Sequence, residues 1–201
     1  MKKEVIFVIL NEFAEWEGSF LGTSLRAGVK PGNPIKYAVK TMSVTKEPLM
    51  SITGFRVMAD YDINSFPQDY TALILIGGMS WFTEEAKQLV PIVEKAIREG
   101  KIVGGICNAS VFLGCHGFLN NVKHTSNTVE YLKQYAGDNY TNEAGYIERQ
   151  AVADKNIVTA NGTGYLEFMK EVLLLLDADT PEIIDEAYRF YKYGLYPVTE
   201  K

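Results

Sequence analysis

KIVGGICNASVFLG, residues 101–114, decides how this chain folds. An apolar, β-branched run ends abruptly at Cys107 and an apolar segment with small residues follows at once, the pattern of a buried parallel strand turning directly into a helix. A side chain on such an elbow stands clear of the sheet. The first free backbone N–H groups of the next helix point toward it and favour negative charge there. Cys107 is therefore expected as a thiolate with a pKa below the free value of about 8.5, since a helix N-terminus lowers it and only the thiolate is a strong nucleophile. The competing reading is a buried structural cysteine, because free Cys is among the most buried residue types. Position on the elbow favours the reactive reading, by analogy with the turn that carries a nucleophilic Ser in other α/β folds.

Outward from the elbow, strand and helix patterns alternate. EVIFVIL (4–10) reads as a buried strand and AEWEGSFLGTSLRAG (14–28) as a helix ending at Gly28. IKYAVKTMSV (35–44) alternates as a strand, and the stretch to Met58 reads as a short hairpin beside the main sheet. TALILIGG (71–78) is another buried strand, stopping at a glycine pair, and TEEAKQLVPIVEKAIREG (83–100) reads as one amphipathic helix with Thr83 as its N-cap. TVEYLKQY (128–135) is a short helix, YIERQAVADKNIVTAN (146–161) a pair of antiparallel strands around Asp154–Asn156, and GYLEFMKEVLLLLD (164–177) a long helix. Residues 181–201 form a C-terminal helical extension, with Pro181 in the first turn and Ile184, Ala187, Tyr188, Tyr191 and Leu195 on one face as core or subunit interface. The whole, residues 1–201, is expected as a single α/β domain, a sandwich around a mostly parallel sheet. Such sheets gather their sites at the carboxyl ends of the strands, and Asn11–Glu17, Gly77–Gly78 and Cys107 all fall there.

Composition narrows the class of partner. The 201 residues are 47% hydrophobic, enough for a core between a sheet and its helices, and 22% charged with a formal net charge of −5. No basic cluster is available to neutralise phosphates, so nucleic acid and anionic membranes are set aside as partners. Cys107 and Cys115 flank one short helix and make no disulfide framework, which fits a reducing compartment. MKKEVIFVILNEF reads as a first strand and not a leader, and no apolar run reaches the roughly 20 residues that span a bilayer. A cytoplasmic location is expected. Without GxGxxG, GxxxxGK[ST] or a clustered Cys/His set, a metal-free and cofactor-free site is expected.

Four motifs in order, FAEWEG, LILIGG, GGICNAS and NGTG, make the chain resemble the ThiJ/PfpI superfamily over nearly its whole length. The resemblance implies a flavodoxin-like three-layer α/β/α sandwich with a nucleophile elbow, usually dimeric. The group includes intracellular proteases, glyoxalases or deglycases, chaperones, class I glutamine amidotransferase-like relatives and oxidative-stress sensors. It makes Cys107 the nucleophile and Glu17 the acid that touches its sulfur, and gives the oxyanion-hole positions to Gly78 and Asn108. A carboxyl group held near a thiol and partly desolvated has a raised pKa and can move protons. Bare composition would instead leave Glu17 a solvated helix residue like Glu12 or Glu15, and the glycine pair a turn.

The chain also departs from the pattern. In the protease branch a histidine directly follows the nucleophile, and here Asn108 stands in that place, which argues against peptidase activity. In the sensor branch a histidine follows about twenty residues later. VKHTSN offers His124 near that point but out of register, either as a base or as a structural histidine. Cys115, expected buried, and His116, expected to complement a helix dipole, are read as structural. Trp16, Trp81, Phe82 and Tyr165 are candidates for an aromatic pocket rim, Trp81 foremost, with core packing as the alternative for each. Three functions follow: a cofactor-independent hydrolase or lyase acting on a small electrophile (aldehyde, amide or nitrile-like carbon), an oxidation sensor through Cys107, or a non-catalytic regulatory dimer. The last is favoured if His124 lies away from the sulfur.

Overall fold

The computed structural model describes residues 2–196. In chain order the elements are β1 (Lys3–Val8), α1 (Glu15–Ala27), β2 (Tyr37–Met42), β3 (Leu49–Met50), β4 (Arg56–Val57), β5 (Ala72–Leu75), α2 (Glu84–Lys87), α3 (Val90–Arg98), β6 (Ile102–Ile106), α4 (Asn108–Cys115), α5 (Val129–Ala136), β7 (Ala151–Asp154), β8 (Ile157–Ala160), α6 (Tyr165–Leu175) and α7 (Pro181–Tyr193). Six strands make the central sheet in the order β2-β1-β5-β6-β8-β7. All neighbours are parallel except the antiparallel pair β7 and β8, giving the mostly parallel, flavodoxin-like sheet with helices around it. β3 and β4 form a separate small antiparallel hairpin.

Continuous apolar strands follow from burial on both faces of such a sheet. In β1, Val5 and Phe7 pack with Leu21 of α1 and Phe168 of α6, while Ile6 and Val8 join Val93 of α3 and Phe112 of α4 on the other face. The two glycines of β6 serve one face each. A Cβ on Gly104 would stand 2.8 Å from the Phe168 ring, and one on Gly105 would stand 2.7 Å from Leu113 Cδ1 and 3.3 Å from the Ala109 carbonyl. Their absence lets α6 and α4 settle close against the central strand, and α4 can start directly from it.

Four expectations change. The single helix over 83–100 is two, α2 and α3, because Pro91 has no N–H to continue the ladder and instead occupies the first turn of α3. Thr83 does cap α2, its hydroxyl accepting from Ala86 N–H. On α7, Ile184 and Ala187 are buried and Tyr188 and Tyr191 pack against the core, but Leu195 lies beyond the helix end at Gly194 and is 72% exposed. Cys115 is only part-buried. His116 does end α4, yet burial beside Phe112 lowers its pKa, with the Lys87 charge adding to the effect, so it does not supply the imidazolium expected there. Among the described residues no helix is long and apolar enough to cross a membrane.

Candidate active site

Four strand ends converge. Following β6, Cys107 adopts φ 57° and ψ −129°, a sparsely populated conformation for a residue with a Cβ. Its N–H still pairs with Ala160 O of β8 at 3.0 Å, while its carbonyl already accepts from Ser110 N–H at 3.0 Å and Ser110 Oγ at 2.6 Å. One residue thus ends a strand and begins a helix. Its side chain is part-buried.

Glu17 reaches this point from α1. The buried residues of that helix are Glu17, Gly18, Leu21, Ser24 and Leu25, so Glu17 occupies the first position of the core-facing stripe. Glu12 is exposed and Glu15 half-buried, which separates the three acids by geometry alone. Glu17 itself is 2% exposed. Burial pushes its pKa up to about 7, opposed by the Cys107 thiol and the Gly77 N–H, although Oε2 has no partner of good hydrogen-bond geometry.

Two glycines make room for the pair. A Cβ on Gly77 would overlap Glu17 Oε2 and lie 2.7 Å from Cys107 Cβ, and one on Gly162 would lie 3.0 Å from Cys107 Sγ and 3.5 Å from Glu17 Oε1. The Gly77–Gly78 turn is fixed by Ala14 N–H donating to Gly77 O at 2.9 Å and Met79 N–H to Glu12 O at 3.1 Å. Among the described residues, the N–H groups of Gly78 and Asn108 meet no backbone or side-chain oxygen, and the Asn108 N–H favours the charged sulfur.

The sulfur differs from expectation in charge. Burial first, and the Glu17 charge second, push the Cys107 thiol up to about 11 against the opposing N–H groups of Asn127 and Asn108. The helix terminus is outweighed by desolvation and a neighbouring carboxylate. Burial and mutual repulsion therefore oppose a charge on both acids at once.

Asn127 touches the sulfur from a position where a histidine was sought. It lies twenty residues after Cys107, its Nδ2 is 3.7 Å from Sγ and 3.3 Å from Asn108 Oδ1, and its Oδ1 accepts from Gly162 N–H at 3.0 Å. His124 is fully buried elsewhere, with Nδ1 2.9 Å from Val122 O and Nε2 2.8 Å from Tyr140 Oη, and burial lowers its pKa. It is a satisfied core histidine and not a base for Cys107. The spacing from Cys107, counted strictly, would have pointed to Asn127.

The aromatic rim is also different. Trp81 is 2% exposed, donates its indole N–H to Ile76 O at 2.7 Å and packs on Phe112. Tyr165 stacks on Phe20 against the core, and Trp16 faces outward on α1. Phe82, the remaining candidate, stays near the surface and stacks on Tyr135 at 4.3 Å, and Tyr135 meets Tyr131 at 4.6 Å. Tyr131 is near enough for the Cys107 charge to help raise its phenol, which burial and Tyr135 push up to about 12. Beside Asn127 opens a polar groove of about 420 Å³, flanked by Thr125–Glu130, Arg149 and Asn161.

With this geometry in view, comparisons identify the fold's relatives. The DJ-1/PfpI family model matches residues 3–175. The chain belongs to the DJ-1/PfpI family. It is 37% identical over 200 residues to the uncharacterized protease YdeA of Bacillus subtilis (strain 168), covering 99% of this chain and 96% of that protein. Among solved structures it is similar to a thiJ/pfpI family protein from Bacillus anthracis, with a TM-score of 0.87 and 33% identity over 96% of this chain and 91% of that one. A DJ-1 superfamily protein from Agrobacterium tumefaciens matches with a TM-score of 0.83 and 30% identity over 94% of this chain and 98% of its own.

The raised Glu17 pKa makes its own contribution to stability depend on pH. The native state holds this proton up to about 7, whereas the unfolded chain releases it near 4.5, so the contribution of Glu17 to stability is fully present below 4.5 and is lost as pH rises through about 7. The loss is of order 3 kcal/mol. Urea unfolding across this range should show the wild type losing stability relative to Glu17→Gln, with the difference levelling off above about pH 7.

Proposed function

We propose that this protein is a cofactor-independent, cysteine-dependent enzyme acting on a small electrophilic carbon of an aldehyde, amide or nitrile-like compound. The observation that carries the reading is the buried Glu17 carboxyl beside Cys107, in a cradle that only Gly77 and Gly162 leave open. A carboxyl titrating near 7 is poised to accept a proton and return it at neutral pH. As Cys107 Sγ forms a bond to the substrate carbon, the S–H proton passes to the Glu17 carboxylate. The electron pair of the carbonyl or nitrile π bond moves onto oxygen or nitrogen, where the N–H groups of Gly78 and Asn108 hold it. Glu17 then returns the proton to the adduct.

Specific observations weigh the alternatives. The related Bacillus subtilis protein is named a protease, but Asn108 replaces the activating histidine of that branch, and its side chain is spent on Gly78 O at 2.8 Å and on Asn127. A small molecule is therefore favoured over a peptide. The same sulfur and carboxyl would serve oxidation to a sulfenate, so the sensor reading is separated from the enzyme reading by turnover alone. The position of His124, away from the sulfur, favours a non-catalytic role, and Glu17 outweighs it as an alternative proton acceptor.

A homodimer is part of the same proposal. An apolar groove of about 270 Å³, lined by Phe13, Gly18, Gly22 and Val57 among others, opens beside the β3–β4 hairpin, which leaves Ile52, Phe55 and Met58 exposed.

A panel of small aldehydes, amides and nitriles tests the activity. The wild type should turn over at least one class, Cys107→Ser should abolish turnover, and Glu17→Gln should lower kcat by roughly 10²–10⁴-fold. Turnover that survives Cys107→Ser would contradict the reading. Sedimentation should give twice the chain mass for the wild type and a monomer for Phe55→Asp, and an unchanged assembly in that variant would move the interface elsewhere.

A further inference from the structure

The segment after α4 is tied down one residue at a time. His124 is locked to Val122 O and Tyr140 Oη, Thr125 N–H donates to Thr159 Oγ1 at 2.8 Å, and Ser126 Oγ meets the buried Ser110 Oγ at 2.8 Å. Asn127 is the next residue and the first whose side chain reaches the sulfur.

Its amide has no freedom left. Its Nδ2 lies 3.7 Å from Cys107 Sγ and 3.3 Å from Asn108 Oδ1, while its Oδ1 accepts from Gly162 N–H at 3.0 Å; Asn108 Nδ2 passes the chain on to Gly78 O at 2.8 Å. Flipping the amide would set an N–H group against the Gly162 N–H and an oxygen against Asn108 Oδ1, so the network fixes which atom faces the sulfur. The relay links the turns after β5, β6 and β8 through the one residue that no strand end supplies.

We propose that Asn127 is a positioning residue for Cys107, a fixed donor that orients the sulfur and supports its thiolate without being able to take its proton. The inference rests on Cys107 as the nucleophile. An amide neither gains nor loses a proton in the working range of a protein, so the proton leaving sulfur has Glu17 as its acceptor. A histidine in this place would compete for that proton. Asn127 thereby makes the site depend on a single carboxyl group.

Alkylation of Cys107 by iodoacetamide across the neutral and alkaline range, read by intact mass in a Cys115→Ser background, tests this. Asn127→Leu, similar in size but without donor or acceptor, should slow alkylation at fixed pH about tenfold, the effect of one unit in thiol pKa. Asn127→His, which restores a donor, should recover the rate and add an ionisation near the ordinary histidine value of about 6.5. A folded Leu variant with the wild-type profile would overturn the proposal, as would a slow Leu variant that His fails to recover. If the Leu variant does not fold, the His variant decides, and a profile without a new ionisation overturns it. Alkylation requires no turnover, so failure of every substrate in the enzyme panel would leave this result standing, and failure here would leave a measured turnover standing.

Discussion

Everything at this site depends on the backbone of Cys107. Its φ of 57° and ψ of −129° belong to a region that costs of order 1–3 kcal/mol for a residue with a side chain. The conformation persists because both neighbours over-determine it: the N–H is still committed to β8, and the carbonyl already receives the first turn of α4. Gly105 lets α4 fold back within contact of β6, leaving no slack to relax into. The strain lifts the sulfur out of the sheet to the place where Glu17, Asn127 and the N–H of Asn108 meet it.

The second constraint is charge in a small, poorly solvated space. Two acids side by side cannot both ionise cheaply. Burial raises both, the carboxyl to about 7 and the thiol to about 11, and the first charge discourages the second. The thiol is thus held up by burial with a carboxyl group in contact, and on the proposed reading its proton crosses to Glu17 as the sulfur bonds to substrate.

Much of this was legible in the sequence because it depends on patterns that burial enforces. Strands buried on both faces read as continuous apolar runs, and the run ending at Cys107 followed by small residues marked the elbow and the parallel sheet. Glu17 was legible through the resemblance, and its place on the 17, 18, 21, 24, 25 stripe is the physical reason it is buried. Other features were hidden because three-dimensional neighbours decide them. Trp81 and Trp16 look alike as aromatic rim candidates, yet one finds a carbonyl for its indole in the core and the other faces solvent. His124 drew notice as the chemically versatile residue of VKHTSN, although strict spacing singles out Asn127. The helix terminus alone argues for a lowered thiol pKa, and the desolvation that outweighs it appears only once α1 is packed over the elbow. Pro91 is the local signal that divides α2 from α3.

Glu17 and Cys107 are coupled acids sharing one site. The direct test is the pH dependence of Cys107 reactivity toward a small alkylating agent in Cys115→Ser protein, with Glu17 intact and as Glu17→Gln. Because the Glu17 charge is one of the causes that raise the thiol, the account predicts that removing it shifts the Cys107 titration to lower pH and speeds alkylation at a fixed alkaline pH. A profile that Glu17→Gln leaves unchanged, or a wild-type cysteine titrating below about 8.5, would contradict it.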